Sequence, residues 1–139
     1  MNDNAITVHT IVHKPVSRVW IYWTDPTHII HWAFASDSWE APSAENDVRT
    51  GGRFKTVMAA KDRSAQFDFT GTYTVVQENV RLEYDIDDGR HVIVLFEDTH
   101  DGIRITETFE PEQQNTLEMQ RTGWQTILDN FKKYAEVQQ

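Results

Sequence analysis

The sequence predicts an α+β domain in which a curved antiparallel sheet wraps around a long C-terminal helix, with two short helices between the first two strands. Two patterns carry that prediction. From Asn115 the chain reads NTLEMQRTGWQTILDNFKKYAEVQQ, where Leu117, Trp124, Ile127, Leu128, Phe131, Tyr134 and Ala135 recur at three- and four-residue steps. That spacing is one apolar stripe of a 3.6-residue period. From Arg53 to Phe109 the chain instead alternates with period two and is cut by turn signals at Glu78-Asn79, Asp88-Gly89 and Asp101-Gly102. A lone long helix that follows such strands buries its stripe against them.

Ala5 to His13 is rich in β-branched residues and predicts the first strand, with Ile6, Val8, Thr10 and Val12 on one face. Pro15 suits the first turn of a helix, and Val16, Val19, Trp20 and Trp23 follow at i, i+3, i+4 and i+7. Asp25 reads as a cap and Pro26 as the first position of a second helix that ends near Trp32. Ser38 to Ala41 reads as a short strand, Pro42 to Asp47 as a loop, and Gly51-Gly52 as a turn.

Phe54, Thr56, Met58 and Ala60 then share a face, and Lys61 to Ser64 reads as a turn. Phe67, Phe69, Gly71, Tyr73 and Val75 share the face of a long strand, with a bend or bulge expected at Gly71. Leu82, Tyr84 and Ile86 alternate in the next run. His91 to Thr99 is apolar on both parities, so its inward face stays open. Ile103, Ile105, Glu107 and Phe109 share the last strand's face. These runs make a meander wide enough to curl. At the final helix, Asn115 reads as the N-cap and Glu118 completes a capping box.

The chain has 139 residues, enough for one domain with a single core. Its net charge of −9 argues against nucleic acid or an anionic membrane as the main partner, since both reward clustered Lys and Arg. It contains no cysteine, which fits a reducing cytoplasm and removes thiolate chemistry. MNDNAITV lacks a basic region followed by an apolar run, so no signal peptide is expected, and no stretch approaches membrane-spanning length.

The segment ITVHTIVHKPVSRVWIYWTDPTHIIHW, the turn DVRTGGRF, Gly71-Thr72-Tyr73, the strand from Val80 to Tyr84, and Gly123-Trp124 occur in that order along nearly the whole chain. The ordered set resembles the family called activator of heat-shock-protein-90 ATPase homologue-like. Lys14 departs from the small residue usual in that family before the proline. The resemblance implies the START-like (birch-pollen-allergen-like, SRPBCC) helix-grip fold. Members of that superfamily enclose a cavity between sheet and helix and mostly bind hydrophobic small molecules, lipids among them. Some are cyclases, dehydratases or hydrolases.

The expected ligand-binding set is Trp32, Trp39, Phe54, Met58, Phe69, Tyr84, Glu107, Trp124 and Leu128. Each apolar member has the alternative role of plain core packing, and Trp124 is either the plug of the core or the wall of a pocket. Trp32, Phe34 and Trp39 lie beside the irregular segment, where a cavity mouth is expected. Glu107 falls on the inward parity. It reads as a polar anchor or general acid/base, unless an Arg or Tyr partners it in the core or a bulge turns it outward.

His28 and His31, three apart, have metal-ligand spacing, but no second cluster completes a site; solvated histidines, no metal and no cofactor are the expectation. The acidic residues from Asp85 to Asp101 read as a solvated strand edge. The leading function is binding of a hydrophobic or amphipathic small molecule. An enzyme could call only on Glu107 with the Tyr73 and Tyr84 hydroxyls. A co-chaperone-like or regulatory surface with a chaperone partner is a third class, and homodimerisation stays open.

Overall fold

The computed structural model describes Met1 and residues 3–139. The elements run β1 (Ile6–Val12), α1 (Val16–Thr24), α2 (Pro26–Ile29), β2 (Trp39–Asn46), β3 (Arg53–Ala60), β4 (Gln66–Gln77), β5 (Arg81–Ile86), β6 (His91–Thr99), β7 (Gly102–Phe109) and α3 (Leu117–Glu136). The seven strands form one antiparallel sheet in the order β1-β7-β6-β5-β4-β3-β2, curled around α3 in the helix-grip manner.

Alternation decides which face is buried. Ile103, Ile105, Glu107 and Phe109 of β7 point inward together, as do Leu82, Tyr84 and Ile86 of β5. The open parity of β6 resolves to Val92, Val94 and Phe96, which are buried while Ile93 and Leu95 are half-buried. On α3, Leu128, Phe131 and Ala135 are fully buried. Burying each of the two larger side chains contributes about 1.5–3 kcal/mol. Asp25 caps α2 by accepting from the Thr27 amide at 2.9 Å, and Pro26 takes the first helical position.

α3 also closes the edge of the sheet. As the outer strand, β1 leaves every second carbonyl without a strand partner. The side chains of Arg121 and Gln125 donate to the Thr7 and His9 carbonyls at 2.9 and 3.1 Å, and Lys132 donates to that of Ile11. Covering an edge this way blocks strand addition there. Glu136 accepts from the His13 amide at 2.9 Å and from Lys132 at 3.0 Å. Burial pushes its carboxyl up, but these donors win and hold it at about 2. The helix is therefore fixed along β1 and α1, and its backbone stands off the middle strands.

Several local expectations are corrected. Pro42 to Asp47 is not a loop: β2 runs to Asn46, with a register shift between Glu40 and Ser43. Proline is tolerated there because β2 is an edge strand and Pro42 sits at the irregularity. The bulge in β4 lies between Tyr73 and Val75 rather than at Gly71, so Val76, not Val75, pairs with Leu82 and packs on the core. The cap of α3 is Thr116, whose hydroxyl accepts from the Met119 amide at 3.1 Å, and Leu117 is 52% exposed. Pro15 is the N-cap of α1 rather than a residue of its first turn.

Gly71 is needed for close approach. A Cβ there would come within 2.6 Å of both the Phe54 ring and the Asp85 carbonyl oxygen. Its absence lets the Phe54 ring lie across β4. Gly102, with φ of 135°, turns the last hairpin in a conformation side-chain-bearing residues rarely adopt.

Candidate functional site

Because α3 is tethered at the β1 edge, the space between it and the middle strands is spanned by side chains alone. They leave a cavity of about 330 Å³. Phe54 and Thr56 on β3, Phe69 and Tyr73 on β4, and Tyr84 on β5 face Trp124 and Ile127 on α3 across it. Trp23, Ile29, Trp32 and Ala33 contribute from the α1–α2 segment. Met58 and Phe67 pair across β3 and β4, and Phe67 is 50% exposed, so the cavity meets solvent at that hairpin.

The rings brace one another. Phe54 contacts Tyr84 edge-on at 4.9 Å, and Phe69 meets Trp124 at 6.3 Å. Trp124 stacks flat on Phe109 at 3.9 Å and 10°. It is thus both plug and wall: it is packed on Phe109 and also lines the cavity. Behind the wall, Phe131 wedges between Trp23 and Trp32, each at 4.9 Å.

Glu107 is the polar group at the centre of this surface. It lies on β7 between Ile105 and Phe109, is 5% exposed, and opens onto the cavity. Among the described residues no hydrogen bond or ion pair holds its carboxyl, and burial pushes it up to about 8. The Tyr84 hydroxyl is raised well above its ordinary range, first by burial and then by the nearby Glu107 carboxylate. Burial also pushes Tyr73 up to about 12, against a hydrogen bond of 2.7 Å to Asn46 that lowers it. Asn46 in turn donates to the Thr24 carbonyl at 2.8 Å, so the Tyr73 hydroxyl is committed to the scaffold. Glu107 and Tyr84 remain as cavity-facing groups whose protons are retained at neutral pH.

Of the expected ligand-binding set, Trp32, Phe54, Met58, Phe69, Tyr84, Glu107 and Trp124 line the cavity together. Leu128 is fully buried one turn further along α3 and does not line it. Trp39 packs on Phe67 at 5.9 Å, outside the lining. Phe34 is half-buried and likewise outside it.

The sequence reading passed over a polar group of liners, Arg90, Glu112, Asn115 and Gln120. Gln120 accepts from the Glu112 amide at 2.9 Å and donates to the Glu112 and Asn115 carbonyls, which anchors the segment before α3. One signal was available: Gln120 stands four residues before Trp124 and eight before Leu128, a polar residue on the apolar stripe.

Of the two histidines expected to be solvated, His31 is exposed and His28 is not. His28 is half-buried with its Nδ1 2.5 Å from the Tyr134 hydroxyl, and His31 stacks on the Tyr134 ring. Among the described residues no group of three or more His, Cys, Asp or Glu could hold a metal ion, and no helix is long and apolar enough to cross a membrane.

A curled seven-stranded sheet closed on a terminal helix, with two short helices after the first strand, defines a START-like helix-grip protein. Residues 13–136 match the family described as Activator of Hsp90 ATPase homolog 1-like protein, and the chain belongs to that family.

The solution structure of an AHSA1-like protein from Aeromonas hydrophila is 44% identical, with a TM-score of 0.89 over 95% of this chain and 92% of that one. Chr148 from Cytophaga hutchinsonii is 48% identical, with a TM-score of 0.84 over 96% and 92%. CV1439 from Chromobacterium violaceum shares the fold at 21% identity, with a TM-score of 0.85 over 96% and 99%. No curated protein matches the chain.

Proposed function

We propose that this protein binds a hydrophobic or amphipathic small molecule in the cavity between the sheet and α3. The observation that carries the reading is a space of about 330 Å³ walled by aromatic and aliphatic side chains and faced by a buried, uncommitted carboxyl, that of Glu107. Small-molecule sites have this composition, a mostly apolar wall with few polar groups, and range over about 300–1,000 Å³. The fold supports it too, because the family match is to a ligand-binding or regulatory class of domain.

Binding is favoured over turnover. The Tyr73 hydroxyl is already engaged with Asn46, and the described lining residues include no His, Cys or Ser. Glu107, Tyr84 and the Thr56 hydroxyl can orient a ligand by hydrogen bonding, but no imidazole stands among the described lining residues to activate a hydroxyl for acyl or phosphoryl transfer.

The test uses the neutral dye N-phenyl-1-naphthylamine, whose emission rises in an apolar site. Saturable one-to-one binding is expected. The Met58→Trp variant fills the cavity from β3, where a large aromatic suits a strand, and should weaken binding by about tenfold or more. Non-saturable dye partitioning, or equal affinity for a correctly folded Met58→Trp protein, would refute the reading.

A further inference from the structure

We infer that the cavity selects a hydrophobic amine, held with its ammonium group against the Glu107 carboxylate and its apolar body among the rings of Phe54, Phe69, Tyr84 and Trp124. This rests on the cavity being a binding site and adds the chemical class of its occupant.

The fold buries Glu107 among Ile105, Phe109, and its cross-strand neighbours Val8 and Val94, without supplying a cation. A carboxyl removed from water in that way is stabilised most by a positive charge brought to it. Burial has already stripped most water from this carboxyl, so pairing with the amine costs the release of its proton to solvent and the desolvation of the ammonium, both offset by the ion pair formed in the apolar site. The protonated form could instead donate to a neutral ligand.

Two further observations favour the amine. Beside Glu107 the lining carries two carboxylates, Glu45 and Glu112, the latter engaged by the Gln114 and Asn115 amides, and one guanidinium, Arg90. Arg90 is already paired with Asp88 at 2.9 Å, so the cation that is present is occupied. The lining rings also offer their π-faces, which attract ammonium groups and do nothing comparable for carboxylates. Carboxylate-bearing ligands such as fatty acids are therefore disfavoured on charge even though their chains suit the walls.

The test compares three compounds of one shape by isothermal titration: 1-naphthylmethylamine, 1-naphthylmethanol and 1-naphthoic acid. The amine should bind about tenfold to a hundredfold more tightly than the alcohol, as expected for a hydrogen bond to a charged group, and the acid most weakly. In Glu107→Gln, which keeps shape and hydrogen bonding but removes the charge, the amine's advantage over the alcohol should disappear.

If amine and alcohol bind alike, or if Glu107→Gln keeps the difference, the amine assignment is wrong while the binding cavity stands. If none of the three binds but the neutral dye does, the assignment is again wrong. Failure of all four compounds removes the cavity reading and the inference together.

Discussion

The Glu107→Gln variant is expected to unfold at a markedly higher temperature than the parent protein at pH 8, and at nearly the same temperature at pH 4. The Glu107 carboxyl lies at about 8 in the folded chain, against an ordinary value near 4.5. Between those values the folded protein holds a proton that the unfolded chain has released. Stability therefore falls as pH rises through this window and levels off above it. The full cost is on the order of 5 kcal/mol, which corresponds to roughly 15 °C in unfolding temperature for a domain of this size. Glutamine imitates the protonated acid and removes the slope. Thermal melts of both proteins from pH 4 to 9 measure it, and parallel curves would mean that Glu107 is solvated or paired in the folded chain.

Phe131→Ala should lower stability by about 3–5 kcal/mol, the range for deleting a fully buried ring. Phe131 has no exposed surface and touches both Trp23 and Trp32 edge-on at 4.9 Å. Its loss removes those aromatic contacts and leaves a void that two large indoles, themselves held on the α1–α2 segment, can only partly fill. Urea unfolding should show a lower midpoint with an unchanged slope. A loss below about 1 kcal/mol would place the ring outside the load of the core.

Period and punctuation made most of this fold readable. The parity of β7 put Glu107 inward with Ile105 and Phe109, and the spacing of α3 put Leu128, Phe131 and Ala135 against the sheet. What escaped had a physical reason in each case. β2 is built from WEAPSAEN, whose small and polar residues reflect an edge strand with little to bury. The β4 bulge was hidden because Val75 and Val76 are both valine, so either could have faced inward. Asn115 and Thr116 are both good caps, and only the hydroxyl's reach to Met119 distinguishes them.

The site was legible residue by residue but not in depth. Trp124 and Leu128 share one helix face, and spacing alone does not say that the first borders a cavity while the second is sealed below it. The uncommitted state of Glu107 is likewise a tertiary fact, since it depends on which cations the folded chain fails to bring near it.

The most direct test of the account is heteronuclear NMR of the indole N–H groups during titration with 1-naphthylmethylamine. The chain has five tryptophans, and the cavity divides them: Trp23, Trp32 and Trp124 line it, while Trp20, packed on Phe96, and Trp39, packed on the rim residue Phe67, do not. Large saturable shifts are expected at the first three indoles, with Trp20 and Trp39 moving far less. Shifts confined to Trp20 and Trp39, or five unmoved indoles both with this amine and with N-phenyl-1-naphthylamine, would contradict a binding cavity between the sheet and α3.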